Sequence, residues 1–185
     1  MLIEKSNAIL LVIDIQEKLF PKVFNKKIID KNSQILLKTC KLLELPILLT
    51  EQYPKGLGST IMSLQKIYSE INRNNLFRFE KNSFSCFEEE NIKNILKIQK
   101  KKQVLILGIE THVCILQSAF DLKAEGYYPY IITDAVGSRE KNDHDSALKR
   151  FLAHGIDLIT SEMVVFELLR NFKHPKFREI SKLIK

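Results

Sequence analysis

Three residues in this chain have side chains and positions suited to covalent chemistry. Cys114 closes the string Leu107-Gly108-Ile109-Glu110-Thr111-His112-Val113-Cys114, which follows an apolar run and opens a helical pattern. The start of a helix presents free backbone N–H groups and a positive dipole end, which favour a thiolate and can hold a developing oxyanion. Asp14 ends the apolar run Leu11-Val12-Ile13, and Lys81 follows Phe79-Glu80 at the end of another. A carboxylate, an amine and a thiol gathered at one edge make a workable nucleophilic site. The carboxylate accepts the thiol proton, and the ammonium stabilises both anions. Taken singly, each residue also has an ordinary structural role: Asp14 as a turn cap, Lys81 as a surface lysine, Cys114 as a small buried hydrophobe.

The elements that must bring these residues together can be read from the hydrophobic pattern. Short, wholly apolar runs alternate with longer segments of helical spacing, the signature of a parallel sheet with helices on both faces. Six strands are predicted, at Ala8 to Ile13, Ile47 to Thr50, about Leu76 to Phe79, Val104 to Leu107, Tyr130 to Thr133 and Asp157 to Thr160. Helices are predicted from about Ile28 to Leu45, where Pro46 stops the pattern, and from Glu88 to Gln99. Others should run from an N-cap at Thr111 to a stop at Gly126, from Asp143 to Ala153, from Ser161 to Asn171, and in a short basic tail after Pro175. In open parallel sheets ligands bind beyond the carboxyl ends of the strands, where Asp14, the pair Glu51-Gln52, Lys81 and Cys114 all fall.

A length of 185 residues with 45% hydrophobic content suits one domain spanning residues 1–185. No stretch reaches the roughly 20 apolar residues of a membrane span, and Glu4 and Lys5 break any signal pattern, so a soluble, cytoplasmic protein is expected. Three cysteines, Cys40, Cys86 and Cys114, have neither disulfide-framework nor metal-knuckle spacing and fit a reducing compartment. A net charge of +7 raises the question of nucleic acid. The lysines are scattered, however, and the densest run, Lys100-Lys101-Lys102, has no interleaved aromatics, which argues for a solvated basic surface.

Three separated motifs carry a family resemblance: Ile13-Asp14-Ile15-Gln16, Lys81 with the following Ser83-Phe84-Ser85-Cys86-Phe87, and Gly108 through Cys114. In order and spacing they resemble the isochorismatase-like cysteine hydrolases. The likeness runs from about Asn7 to Glu167 and includes Ser138-Arg139 and the stretch from His144 to Leu148. It implies a Rossmann-like, three-layer α-β-α sandwich with a six-stranded, mostly parallel sheet, and a catalytic triad of Asp14, Lys81 and Cys114. It also implies a non-proline cis peptide at Ile109-Glu110, aiming the Glu110 and Cys114 amides into an oxyanion hole. In the reaction so implied, Asp14 takes the thiol proton, the thiolate attacks a carbonyl carbon, and an acyl thioester is hydrolysed by water. A small-molecule amide or related carbonyl compound is the expected substrate. A homo-oligomer is expected by analogy with relatives.

Departures from the resemblance are informative as well. Nicotinamidase-type members carry a metal site of Asp and His after the second strand, where this chain reads Thr50-Glu51-Gln52-Tyr53-Pro54-Lys55-Gly56-Leu57-Gly58 with no histidine. His112, His144, His154 and His174 lie elsewhere without ligand spacing, so neither metal nor cofactor is expected. That stretch is most similar to the isochorismatase domain-containing subgroup of eukaryotes, some of whose members are mitochondrial. Gln16, Phe20, Tyr53, Phe84 and His112 are candidate pocket residues, although aromatics at such positions also serve the core. Glu110 reads equally as an anchor for a substrate amine or as a salt-bridge partner within a subunit contact, and Cys86 reads as a packed thiol. A protein that retains the triad but acts through interactions, and a nucleic-acid-acting protein, stand as alternatives.

Overall fold

The computed structural model describes residues 1–185. Six strands form one sheet: β1 (Ala8–Ile13), β2 (Ile47–Gln52), β3 (Leu76–Lys81), β4 (Gln103–Ile109), β5 (Tyr128–Gly137) and β6 (Asp157–Ile159). Their spatial order is β3-β2-β1-β4-β5-β6, and every adjacent pair is parallel. All residues of β1 and β4 are buried, as their continuous apolar runs require of strands covered on both faces. The chain adds β2 and β3 on one side of β1, then crosses to add β4 on the other. The order therefore reverses between β1 and β4, which is where an open α/β sheet leaves a crevice at its carboxyl edge.

Alternate residues of β1 feed two separate cores. Ala8, Leu10 and Val12 join a cluster of 32 buried residues beneath α1 (Lys26–Leu43), α3 (Met62–Tyr68), α7 (Ser161–Leu169) and α8 (Phe177–Ser181). Ile9, Leu11 and Ile13 join a cluster of 20 beneath α4 (Glu90–Gln99), α5 (Leu116–Ala124) and α6 (Lys141–Ala153). The period of two that sends neighbouring side chains to opposite faces creates the three layers. Burying one such Leu or Ile contributes roughly 1.5–3 kcal/mol.

Three local features differ from the pattern-based expectation. First, β5 continues past Thr133: the register shifts between Ile106 and Gly108, and pairing resumes with Gly108 beside Val136 and Ile109 beside Gly137. This irregular extension delivers Ser138 and Arg139 to the site. Second, α2 (Pro54–Leu57) and α3 lie between β2 and β3, where no helix was expected. Both are short, and Pro54, Gly56 and Gly58 mask the periodicity. Third, the helix after β4 does not start at a Thr111 cap. Residues Thr111–Ile115 form a π-helical turn, Glu110 occupies the capping position, and the Thr111 hydroxyl instead hydrogen-bonds His144 Nδ1 at 3.0 Å.

Candidate active site

Asp14, Lys81 and Cys114 converge at the carboxyl edge of the sheet from three different strands. Asp14 directly follows β1 with a left-handed backbone (φ 53°), Lys81 ends β3, and Cys114 sits in the π turn after β4. The approach of β1 to β4 depends on Gly108. With φ at +126° its Cα faces the Ile13 backbone, and a Cβ there would run into the Ile13 carbonyl oxygen. Only glycine meets both demands.

All three side chains are withdrawn from solvent: Asp14 is fully buried, Lys81 nearly so, and Cys114 is 6% exposed. Asp14 Oδ2 lies 2.8 Å from Lys81 Nζ. The aligned donors of the ammonium go to Gln52 Oε1, the Ser83 carbonyl at 3.0 Å and the Phe84 carbonyl at 3.2 Å. Cys114 Sγ also lies beside it, 3.7 Å away. Asp14 Oδ1 accepts a 2.8 Å hydrogen bond from the Thr50 hydroxyl, whereas Oδ2 receives no aligned hydrogen bond and keeps a lone pair free. A buried ion pair of this kind holds only if its remaining polar contacts are satisfied, and the two loop carbonyls and the Gln52 carboxamide meet that need around Lys81.

The electrostatics define the resting protonation states. Burial alone draws the Lys81 ammonium down, but the negative charge of Asp14 2.8 Å away outweighs it, so Lys81 stands above its ordinary value and remains charged. Burial, followed by the Asp14 carboxylate, pushes the Cys114 thiol up despite the opposing pull of Lys81. The resting thiol is therefore held neutral, whatever the helix start adds in favour of a thiolate. Removal from water and the adjacent carboxylate both disfavour the anion, and one ammonium does not offset them. The site rests with Lys81 as an ammonium and Cys114 as a neutral thiol.

The peptide Ile109-Glu110 is cis. The Glu110 carbonyl accepts the Val113 and Ile115 amides at 3.1 and 3.3 Å, passing over Cys114, and the Glu110 amide donates to no protein acceptor. The Glu110 carboxylate pairs with Arg139 of its own chain. It takes the Arg139 backbone amide at 3.0 Å and the side-chain Nε at 3.1 Å, a salt bridge within the chain where the sequence suggested one at a subunit contact.

The remaining candidates separate. Gln16 is fully buried, donating to the Gln52 and Gly58 carbonyls and accepting the Gln52 amide, so its carboxamide ties the segment after β1 to the end of β2 and the loop beyond it instead of facing a pocket. Phe20 belongs to the larger core, on the opposite face of the sheet from Cys114. Tyr53 and Phe84 are 56% and 55% exposed, near the Lys81 loop. His112 is half-buried, with Nδ1 2.9 Å from Ser138 Oγ and Nε2 3.7 Å from Asp143 Oδ2. It also lines a depression of about 650 Å³ with Leu116, Phe120, Asp121 and Arg150, which does not reach the triad. No three His, Cys, Asp or Glu side chains are grouped as metal ligands, and Glu51 near the end of β2 is engaged by Thr60 and Arg78.

Thr50 and Gln52 were not singled out as site residues. Gln52 was visible as a polar residue at a strand end. Thr50 became legible only through the parallel register that sets it opposite Ile13, one residue before Asp14.

Residues 8–163 match the family model described as the isochorismatase domain. The chain belongs to the isochorismatase family. It is 38% identical over 177 residues to isochorismatase domain-containing protein 2 of Danio rerio, covering 96% of this chain and 86% of that one. It is likewise 38% identical over 176 residues to isochorismatase family protein 1A of Dictyostelium discoideum, covering 95% and 84%. A solved structure of MAR1 ribonuclease from Caenorhabditis elegans superposes with a TM-score of 0.92 at 36% identity, over 100% of this chain and 92% of that one. The match across the first and last strands agrees with the six-stranded, helix-flanked sheet, the fold of the isochorismatase-like hydrolases.

Proposed function

We propose that this isochorismatase family member is a cysteine hydrolase that cleaves the C–N bond of a small amide, or a related carbonyl compound, through an acyl-enzyme on Cys114. One observation carries the reading: a fully buried carboxylate and a lysine 2.8 Å apart, with the lysine Nζ 3.7 Å from a thiol that is still partly open to solvent. As substrate enters, the free lone pair of Asp14 Oδ2 takes the Cys114 proton and the thiolate attacks the carbonyl carbon. The oxyanion is received by the Glu110 and Cys114 amides, each such donor being worth on the order of a hundredfold or more in rate.

Collapse of the tetrahedral species breaks the C–N bond, and the departing amine takes the proton from Asp14. The carboxylate then accepts a proton from water, hydroxide adds to the thioester, and the acid leaves as Cys114 regains its proton. Lys81 stays an ammonium throughout. Its charge faces both Asp14 and the anion that forms on sulfur. Every proton in this sequence is held by Asp14, Cys114, water or substrate.

A panel of small amides, hydroxamates and thioesters, run in parallel on wild type and Cys114→Ala, tests the proposal. Turnover to the acid by wild type alone is the expected result. Equal turnover by both proteins would sink the acyl-enzyme.

A second reading, action on RNA, is favoured by the name of the C. elegans neighbour together with the net charge of +7. Its electrostatic component requires affinity for RNA to fall steeply with salt. RNA cleavage that persists in Cys114→Ala would support it against the cysteine mechanism.

A further inference from the structure

The hydroxyl of Thr50 ties the general-base candidate to the second buried thiol of this face. Thr50 is fully buried and ends the β2 segment paired with β1, where its own carbonyl accepts the Asp14 amide at 3.2 Å. Its Oγ1 donates to Asp14 Oδ1 at 2.8 Å, and Cys86 Sγ lies 3.8 Å from the same oxygen. A hydroxyl has one proton and two lone pairs. With that proton committed to Asp14, the Cys86 contact must run from the thiol to the hydroxyl, so the chain has one direction: Cys86 to Thr50 to Asp14. Cys86 is itself fixed, because its backbone amide donates to Ser118 Oγ at 2.8 Å.

The consequence falls on the two oxygens of the carboxylate. Oδ1 is occupied by Thr50, while Oδ2 faces Lys81 and has no aligned donor. The geometry points to Thr50 as a positioning residue that fixes the rotation of the Asp14 carboxylate, so that Oδ2 is the oxygen presented to the Cys114 thiol. Without the Thr50 donor the carboxylate is free to turn about its terminal torsion, which is broad and nearly two-fold, and the ammonium of Lys81 can be satisfied by either oxygen. What the hydroxyl contributes is preorganisation of the acceptor. This rests on the reading of Asp14 as the base for Cys114, and the test separates the two.

The test is site-resolved alkylation with iodoacetamide, quantified by mass spectrometry at Cys40, Cys86 and Cys114. Wild type should alkylate at Cys114 while the other two buried thiols stay unlabelled. Thr50→Val keeps the shape and removes the donor, and should slow Cys114 alkylation by roughly tenfold to a hundredfold, the equivalent of one hydrogen bond to a charged group. Thr50→Ser returns the donor and should restore the rate.

Labelling at Cys40 and Cys86 should remain absent in both variants, a readout that a loosened core would move. If Thr50→Val does not fold, Thr50→Ala carries the same expectation. An unchanged Cys114 rate in the donor-less variant overturns the inference. So does an equal loss in Thr50→Ser, or a loss accompanied by new labelling at Cys40 or Cys86. Wild-type alkylation in Asp14→Asn would instead overturn the base role of Asp14 itself.

Discussion

On one face of the sheet Cys40 sits in α1 among 32 buried apolar residues, and burial alone pushes its thiol up to about 12. On the opposite face Cys114 is also buried and also raised, but a carboxylate and an ammonium stand beside it as further contributors. The polar groups around the two thiols differ in the same way. On the face of Cys40, the hydroxyls of Ser33 and Thr39 in α1 and of Tyr68 in α3 are buried without hydrogen-bond partners. Around Cys114, Thr50, Thr111, Ser118 and Ser138 each find one. Burial by itself makes a thiol inert. A proton acceptor and a fixed cation are what turn the same burial into a site, because in a dry environment each charge acts strongly on the other.

The comparison breaks if the two cysteines are interchangeable in function. Cys114→Ala should lower turnover by at least about a thousandfold, as removal of a nucleophile does, while Cys40→Ala keeps the wild-type rate on the same amide substrate. A loss of activity in Cys40→Ala comparable to that in Cys114→Ala would show that the charged face is not special. The next effect is on stability. Lys81→Met leaves Asp14 buried and uncompensated and should cost about 3–5 kcal/mol in denaturant unfolding. Adding Asp14→Asn to Lys81→Met should recover part of that loss, since two neutral groups replace an orphaned charge. A double variant less stable than the single one would show that the pair is held by packing and not by charge.

How much of this was legible in the sequence follows from which interactions are local. The strands of the centre were readable because Ala8 to Ile13 and Val104 to Leu107 are apolar at every position, which only burial on both faces explains. Asp14, Lys81 and Cys114 were readable as polar residues at the ends of such runs, and the three motifs around them named the family. The length of β5 was not, because its second half pairs through a register shift that no periodicity encodes. The capping role expected of Thr111 failed because its hydroxyl serves a residue 33 positions away in sequence. Thr50 was missed for a related reason: it reads as the last residue of a buried strand, and only the β1–β2 register sets it beside Asp14.

The smallest of the three effects concerns His144, which extends the contrast between the faces beyond the triad. It lies in α6, bonded through Nδ1 to Thr111 at the start of the π turn and in edge contact with Phe24, ring centroids 5.5 Å apart. It is the one histidine in the buried set, and the face of Cys40 has no counterpart. Burial, the largest cause, lowers His144 below its ordinary 6.5; Lys141 adds to this and Asp145 opposes it. The sign of the stability change follows from proton counts. As pH falls below about 6.5 the unfolded chain takes up a proton that the folded chain refuses, so the unfolded state binds more protons and stability drops. Above that value both states are neutral at this residue and it adds no slope. Thermal unfolding followed from about pH 8 to about pH 5 should therefore show a loss on the acid side. The loss should be reduced in His144→Gln, which keeps a hydrogen-bonding partner for Thr111 and removes the titration. An acid-side slope identical in His144→Gln and wild type would place the proton uptake elsewhere.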